Sequence, residues 1–438
     1  MVKQKWLMIV GIIIILILPL SSIAATPVQA DSNPWTTVQR QPGHFGPPIH
    51  FGQVATPIRP DRQGSGPSGT TAVVYPPLTI QNAYSFVSTA NGAGKTIAII
   101  AIIDAFGDPT LNNDVSTFDS KFNLSQASVN VYYPDGQPVI TRANNSDAAG
   151  WAVETALDVE WAHANAPGAT IDLVVAYDDT FQHLLNAIEY ASGQYVSKYQ
   201  PTSLSSLPVV ISMSFGAPED EFTATSAKST LGPWEAAFTN AFKENIILIA
   251  ASGDGGAKEG TGQLTVDYPA ASQYVIGVGG TTLTTVGNNY GSEKAWVDSG
   301  GGYGATSLST VLGSEPSYQV NASIPDSAKM RGVPDVAFDA DPNTGVYVYQ
   351  NGWWAVGGTS VGAPNWASIV ADAAAANSGI ALNLANLYGT VYASSSDYQK
   401  DIHDIISGSN GYYTAVTGWD AVTGIGTPIV SGLLTTTK

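Results

Sequence analysis

The 438-residue chain contains no cysteine. Disulfides, thiolate-bound zinc, iron–sulfur clusters and thiol catalysis are thereby excluded, which leaves hydroxyl, carboxylate or oxygen-ligated metal chemistry. Charge is scarce as well: 12% of residues are Asp, Glu, Lys or Arg, well under the usual quarter. Bases are the scarcest, with 17 Lys and Arg against 35 Asp and Glu and a formal charge of −18. That balance repels phosphate backbones and anionic membrane faces, so nucleic acid is excluded as a partner. Apolar residues, at 44%, are plentiful enough for a sizeable core, and Gly, Ser, Thr, Asn, Trp and Tyr keep the surface wet without ionisation. The length suits two domains or one large α/β unit.

Long apolar runs occur once. Lys3 and Lys5 precede the uncharged stretch Trp6–Leu20, and small residues with Val28-Gln29-Ala30 follow. This is the pattern of a secretory signal peptide over residues 1–30, and its apolar run is shorter than the roughly 20 residues that span a bilayer. Its removal takes away two lysines and no acid, leaving −20 on a secreted chain with no stable membrane association. Residues 31–77 then carry nine prolines and six glycines without apolar periodicity, and read as a linker or short propiece.

From Leu78 the texture changes. The β-branched run Thr96–Ile103 and the apolar runs Ile171–Ala176, Val209–Ser214 and Ile246–Ala251 read as strands covered on both faces. Helical patterns lie between them at 148–165, 180–192 and 232–244, and another follows Gly358. Such alternation predicts an α/β fold, a doubly wound, mostly parallel sheet flanked by helices, with its site at the carboxyl ends of the strands.

Three constellations gather at those ends. Gly357-Gly-Thr-Ser360-Val-Gly-Ala-Pro364 sets a serine among small residues before an Ala-rich helix, which suits either a nucleophile beside backbone N–H donors or an ordinary N-cap. Glu154-x-x-x-Asp158 puts two carboxylates one turn apart on one helix face, either a solvated acidic face or an acid–base pair. Ser252-Gly-Asp254 places an acid in a glycine-flanked turn after a strand, either a turn cap or more. The five histidines offer no comparable setting: His44 and His50 fall in the Pro-rich tract, His183 in an ordinary helix and His403 near the C-terminus, and His163 follows Glu154 on the same helix.

Taken together with Ser212-Met-Ser-Phe-Gly216, Tyr268-Pro-Ala-Ala-Ser272, Val278-Gly-Gly-Thr-Thr282, Ser299-Gly-Gly-Gly302, Arg331-Gly-Val-Pro-Asp335 and Gly418-Trp-Asp420, these stretches resemble the sedolisin family, serine-carboxyl peptidases with a subtilisin-like fold. The resemblance covers about residues 78–438 and rests on the joint order of the motifs. It implies Ser360 as nucleophile, Glu154 as its general base, Asp158 as the carboxylate supporting Glu154, and Asp254 as the acid that stabilises the oxyanion. It also implies one structural calcium ion in the C-terminal segment, held by the side chains of Asp404 and Asp420 and the carbonyls of Ile405, Val416 and Gly418. Two departures accompany it. Asp104 and Phe215 stand where the family often has glutamate and tryptophan, and the 47 residues of 31–77 are too few for the long folded prosegment that usually precedes the catalytic domain.

The implied function is a secreted, monomeric, acid-active endopeptidase acting on proteins or peptides. Two rivals are a neutral subtilisin-like Ser-His-Asp protease, with His163 as base, and a non-catalytic binding protein on the same fold. The aromatic residues Trp353, Trp354 and Tyr303 and the loop 215–222 suit either substrate subsites or packing.

Overall fold

A computed structural model describes residues 34–436, apart from 58, 60, 87–97, 142–143, 196, 200–203, 205, 207, 326–328 and 378–381. The expected signal peptide lies outside the described residues. In chain order, the elements that frame the site are β1 (His50–Gln53), α1 (Pro77–Ala83), β2 (Ile99–Ala105), α2 (Leu111–Phe122), β3 (Ser128–Tyr132), α3 (Asn145–Asn165), β4 (Thr170–Ala176), α4 (Phe181–Ala191), β5 (Val210–Met213), α5 (Ala224–Lys243), β6 (Ile247–Ala251), β7 (Val275–Val286), β8 (Asn289–Ala295), β9 (Val336–Asp339), β10 (Val346–Tyr349), β11 (Trp353–Gly357) and α6 (Gly362–Ala376).

Among the described residues, eight strands form the main sheet in the order β8-β7-β6-β5-β2-β4-β3, with β9 also beside β7. Only the β7–β8 pair is antiparallel. The apolar runs explain why the sheet is covered on both sides. In β2, Ile100 and Ile102 enter one core with α2, α3 and α6, while Ala101, Ile103 and Ala105 enter the other with α4 and α5. This is the period-two alternation of a strand, here apolar at every position but Asp104. The doubly wound, mostly parallel sheet is therefore the fold. The four strand runs fall on β2, β4, β5 and β6, with ends displaced by at most three residues. The helical pattern at 232–244 is the second half of α5: Gly232-Pro233 reads as a start, but the helix begins at Ala224, capped by Thr223 and Ser226.

The tract 31–77 behaves differently from a tether. β1 pairs antiparallel with β11, so that Thr36–Thr37, β1, β11 and β10 form a second sheet of four strands. Phe45, Ile49 and Phe51 are buried. Among the described residues, 34–77 thus hold four short strands, Thr36–Thr37, β1, Gly64–Ser65 and Val73–Val74, and are packed with the rest of the chain. Strands of two and four residues are too short to show a period, and their prolines and glycines read as loop. Helix α1 likewise starts at Pro77, a residue that suits the first helical position.

Candidate active site

α3 runs through the core, and from Gly150 to Asn165 every residue is buried. Its apolar residues pay for that position by packing, but Glu154 and Asp158 are carried in with them and are 0% exposed. Spacing of four puts both on one face. Glu154 is held well above the usual carboxylate range, first by burial and then by Asp158 and Asp104. Asp158 is raised by burial and Asp104, and its Oδ1 accepts a 2.9 Å hydrogen bond from the Ser214 hydroxyl at the end of β5. Asp104, at the end of β2, is fully buried and pushed up to about 7 by burial. Three carboxyls thus share one dry site, and ionising more than one is costly, so the group titrates as a unit.

Ser360 lies in a single turn, Thr359–Val361, that leads from β11 into α6, and it is fully buried. Its hydroxyl faces Glu154 and favours the ionised form of that acid, yet neither Ser360 Oγ nor either Glu154 oxygen makes a hydrogen bond of ordinary geometry among the described residues. Loose contacts of this kind are usual where a substrate has yet to tighten the site. On the other side stands Asp254, after β6. Its Oδ1 accepts from Thr359 N at 2.8 Å and Thr359 Oγ1 at 2.9 Å. Oδ2 accepts no such bond and lies 3.3 Å from His50 Nε2. Gly358 makes this approach possible: at φ +116° it holds a conformation L side chains avoid, and a Cβ there would sit 2.6 Å from Asp254 Oδ2 and 2.2 Å from the Pro48 carbonyl oxygen. The four expected residues, Ser360, Glu154, Asp158 and Asp254, come from three separated stretches of chain and converge at the carboxyl ends of the strands.

His163 is placed elsewhere. Nine residues from Glu154 is half a turn out of phase, so it leaves α3 on the opposite face. Its Nε2 lies 2.7 Å from the Ser125 carbonyl and 3.4 Å from Asp119.

Sequence reasoning missed several neighbours. His50, set aside as part of a Pro-rich tract, pairs with Asp254. Glu259 accepts a bond from Gly255 N at 3.0 Å, and Asp267 is buried nearby; both are raised well above the ordinary range by burial first. No local motif marks them. The departure at Phe215 is now intelligible: the ring belongs to a cluster with Phe45, Trp151 and Trp234 at centroid separations of 5.2, 6.2 and 6.3 Å, so it packs where a donor would otherwise reach. Of the aromatic residues considered for subsites, Trp354 stacks edge-on with Phe51 at 5.4 Å, whereas Trp353 packs into the core against Phe122.

In the C-terminal segment, Gly418 N donates to Asp404 Oδ1 at 3.0 Å and Val416 N to Asp420 Oδ2 at 3.2 Å, so both carboxylates close on one loop. Asp404 Oδ1 also accepts from Tyr398, and Asp420 Oδ1 from Val422 N and Thr423 N. Ile405 is buried beside them and Val416 is exposed. Both side chains offer only oxygen, a hard donor type that suits calcium.

Comparison with known proteins follows the same line. Residues 141–404 match the subtilase family. Kumamolisin of Bacillus sp. (strain MN-32) is 34% identical over 375 residues, 82% of this chain and 63% of that protein. Sedolisin of Pseudomonas sp. (strain 101) is 31% identical over 81% of this chain and 60% of that protein, so the chain spans about six tenths of the length of both relatives. The solved structure of Pseudomonas sedolisin, a serine-carboxyl proteinase complexed with two molecules of pseudo-iodotyrostatin, superposes with a TM-score of 0.68 at 27% identity, covering 83% of this chain and 98% of that one. With the sheet order, the buried acid pair and the serine turn in place, the chain belongs to the subtilase family and, within it, to the sedolisins.

Proposed function

We propose that this chain is a secreted, monomeric, acid-active serine-type endopeptidase that hydrolyses proteins or peptides through an acyl-enzyme. The observation that carries the reading is the pair of fully buried carboxyls, Glu154 and Asp158, on the helix face that meets the Ser360 hydroxyl, while the one histidine on that helix points away. Glu154 takes the proton from Ser360 as its oxygen adds to the scissile carbonyl, and returns it to the leaving amine. Asp158, bonded to Ser214, shares the proton load of Glu154. Asp254 donates to the developing oxyanion, and a carboxyl can donate only when it holds a proton, which confines turnover to acid. The named relatives support a peptidase.

The test is a pH profile of casein hydrolysis. Activity is expected below about pH 5 in the wild type, absent in Ser360→Ala, and unchanged within about twofold in His163→Gln. An optimum near pH 8 that is lost in His163→Gln instead identifies a Ser-His-Asp protease, and absence of cleavage at any pH identifies a binding protein.

The calcium site is proposed with it: the side chains of Asp404 and Asp420, with the carbonyls of Ile405, Val416 and Gly418, hold one ion that ties the C-terminal loop to the domain. Chelation at pH 6 should lower the melting temperature by several degrees, since a ligand bound only to the folded state adds to its stability. No change on chelation, together with no rise on adding calcium, rules the site out.

A further inference from the structure

Beside the second sheet, the segment that follows β1 and the β10–β11 hairpin enclose a cavity of about 1120 Å³. Its walls carry Arg59 and Arg62, Tyr347 and Tyr349 of β10, and Trp353 of β11, and among the described residues no Asp or Glu lines it. In a chain with 35 acids against 17 bases, an acid-free wall holding two arginines is selective. The other described arginines, Arg40 and Arg331, pair with Glu221 and Asp335, whereas Arg59 and Arg62 are exposed and make no ion pair among the described residues. The aromatic residues add two more donors. Tyr347 is 2% and Trp353 7% exposed, yet neither the Tyr347 hydroxyl nor the Trp353 indole N–H has a hydrogen-bond partner among the described residues. Leaving a buried donor without an acceptor is costly, so both call for one from outside the chain. Gly64 makes room for that hydroxyl, since a Cβ on it would overlap the Tyr347 oxygen. The Tyr347 and Tyr349 rings stand edge-on to Trp353 at centroid distances of 6.0 and 5.0 Å and give the cavity an apolar wall.

We propose that this cavity binds a carboxylate-bearing peptide segment, and that it serves the Ser360 site as an exosite that anchors acidic substrates. Its use as an exosite rests on the proposed peptidase reading; the binding does not. Guanidinium forks take carboxylates two N–H groups at a time, and Arg keeps its charge in acid, so recognition persists for as long as the carboxyls of the ligand are ionised. The rings receive the methylenes of Glu side chains, while the Tyr347 and Trp353 donors meet carbonyl or carboxylate oxygens. The volume exceeds the usual range of small-molecule pockets, about 300–1,000 Å³, and suits several residues of an extended chain. β11 links the cavity to the reaction. Trp353 stands seven residues before Ser360, a distance of at most about 25 Å along the chain, so a substrate engaged at both places spans them with about seven extended residues.

The experiment measures binding of fluorescein-labelled hexaglutamate to the full chain carrying Ser360→Ala, by anisotropy at pH 5.5, with hexaglutamine as the uncharged control. Hexaglutamate should bind at least about tenfold more tightly than hexaglutamine, and Arg59→Ala combined with Arg62→Ala should abolish that margin. Tyr347→Phe, which removes only the hydroxyl, should weaken binding by about threefold. Equal affinity for the two peptides, or an unchanged margin in the double variant, overturns the site, and an unaltered affinity in Tyr347→Phe overturns the role of the hydroxyl. Displacement of the probe by inorganic phosphate or polygalacturonate at a lower concentration than by unlabelled hexaglutamate overturns the peptide ligand. In parallel, KM of the wild type is measured for one cleaved peptide extended at either end by six glutamates or six glutamines. A KM about tenfold lower for the glutamate extension at one end is expected, with kcat unchanged and the difference gone in the double variant. Equal KM values overturn the exosite and leave the binding site standing. A wild type inert towards these peptides and casein at every pH overturns the peptidase reading and the exosite, while the anisotropy result still decides the binding site.

Discussion

Replacing Glu154 by Gln lowers peptide hydrolysis at pH 4 by about 10³-fold or more without loss of fold. The amide has the shape of the acid but cannot take the Ser360 proton, and no other base faces that hydroxyl in the described site. Asp158 cannot substitute, because its Oδ1 is committed to Ser214, and it stands one turn further along α3. Structural loss is not expected at pH 4. Burial and its carboxyl neighbours hold Glu154 above its usual range, so the fold accommodates a neutral side chain at this position without strain. Gln has the same shape and is neutral, so the packing around it is kept while the proton acceptor is lost. At pH 7 the same change should raise stability, because it removes an acid that the site resists ionising. A melting temperature unchanged at pH 4, with activity below a thousandth of wild type, separates a catalytic loss from an unfolded one. Retention of a tenth of the activity would remove Glu154 from the role of base.

How much of this was legible in the sequence depended on the range of the signal. The strands β2, β4, β5 and β6 were legible because burial on both faces demands runs that are mostly apolar and β-branched. The acid pair and the serine turn were legible because each is local: four residues apart on one helix, or two residues from the glycine at Gly358. β7 was not, since Val-Ile-Gly-Val-Gly-Gly-Thr-Thr mixes strand formers with glycines that read as a loop. A Cβ at Gly279 would lie 2.6 Å from Pro334, so that glycine serves close packing and not a turn. The N-terminal tract was the largest miss. Much of its order comes from partners far along the chain, Gly216, Val356 and Ser360, and a strand added to another element's edge leaves no periodicity of its own. His50 was passed over for that reason.

Stability should fall as pH rises from 4 to 8, the reverse of an ordinary protein in the acid range. Asp108 is pushed up to about 6, Asp104 and Glu235 to about 7, and Glu219 and Asp372 to about 8, in each case by burial first. The sign follows from proton counting. Such a carboxyl ionises near 4 in the unfolded chain and higher in the fold, so between those values the folded state binds more protons. Its favourable contribution is complete below about pH 4 and is lost as pH climbs through the raised value. A group moved from near 4 to about 7 costs roughly 4 kcal/mol by neutral pH, which is comparable with the whole stability of many domains, about 5–15 kcal/mol. Asp372 isolates the effect. It is 4% exposed on α6, its Oδ2 has no hydrogen-bond partner among the described residues, and burial alone sets its shift. Asp372→Asn should leave the melting temperature at pH 4 almost unchanged and raise it at pH 8 by an amount worth a few kcal/mol. Melts from pH 3.5 to 8 at fixed ionic strength and fixed calcium decide the matter. A flat profile, or a wild type that gains stability toward neutral pH, would mean that these carboxyls relax into water on ionising. Acid operation would then be a property of the Ser360 site alone and not of the whole fold.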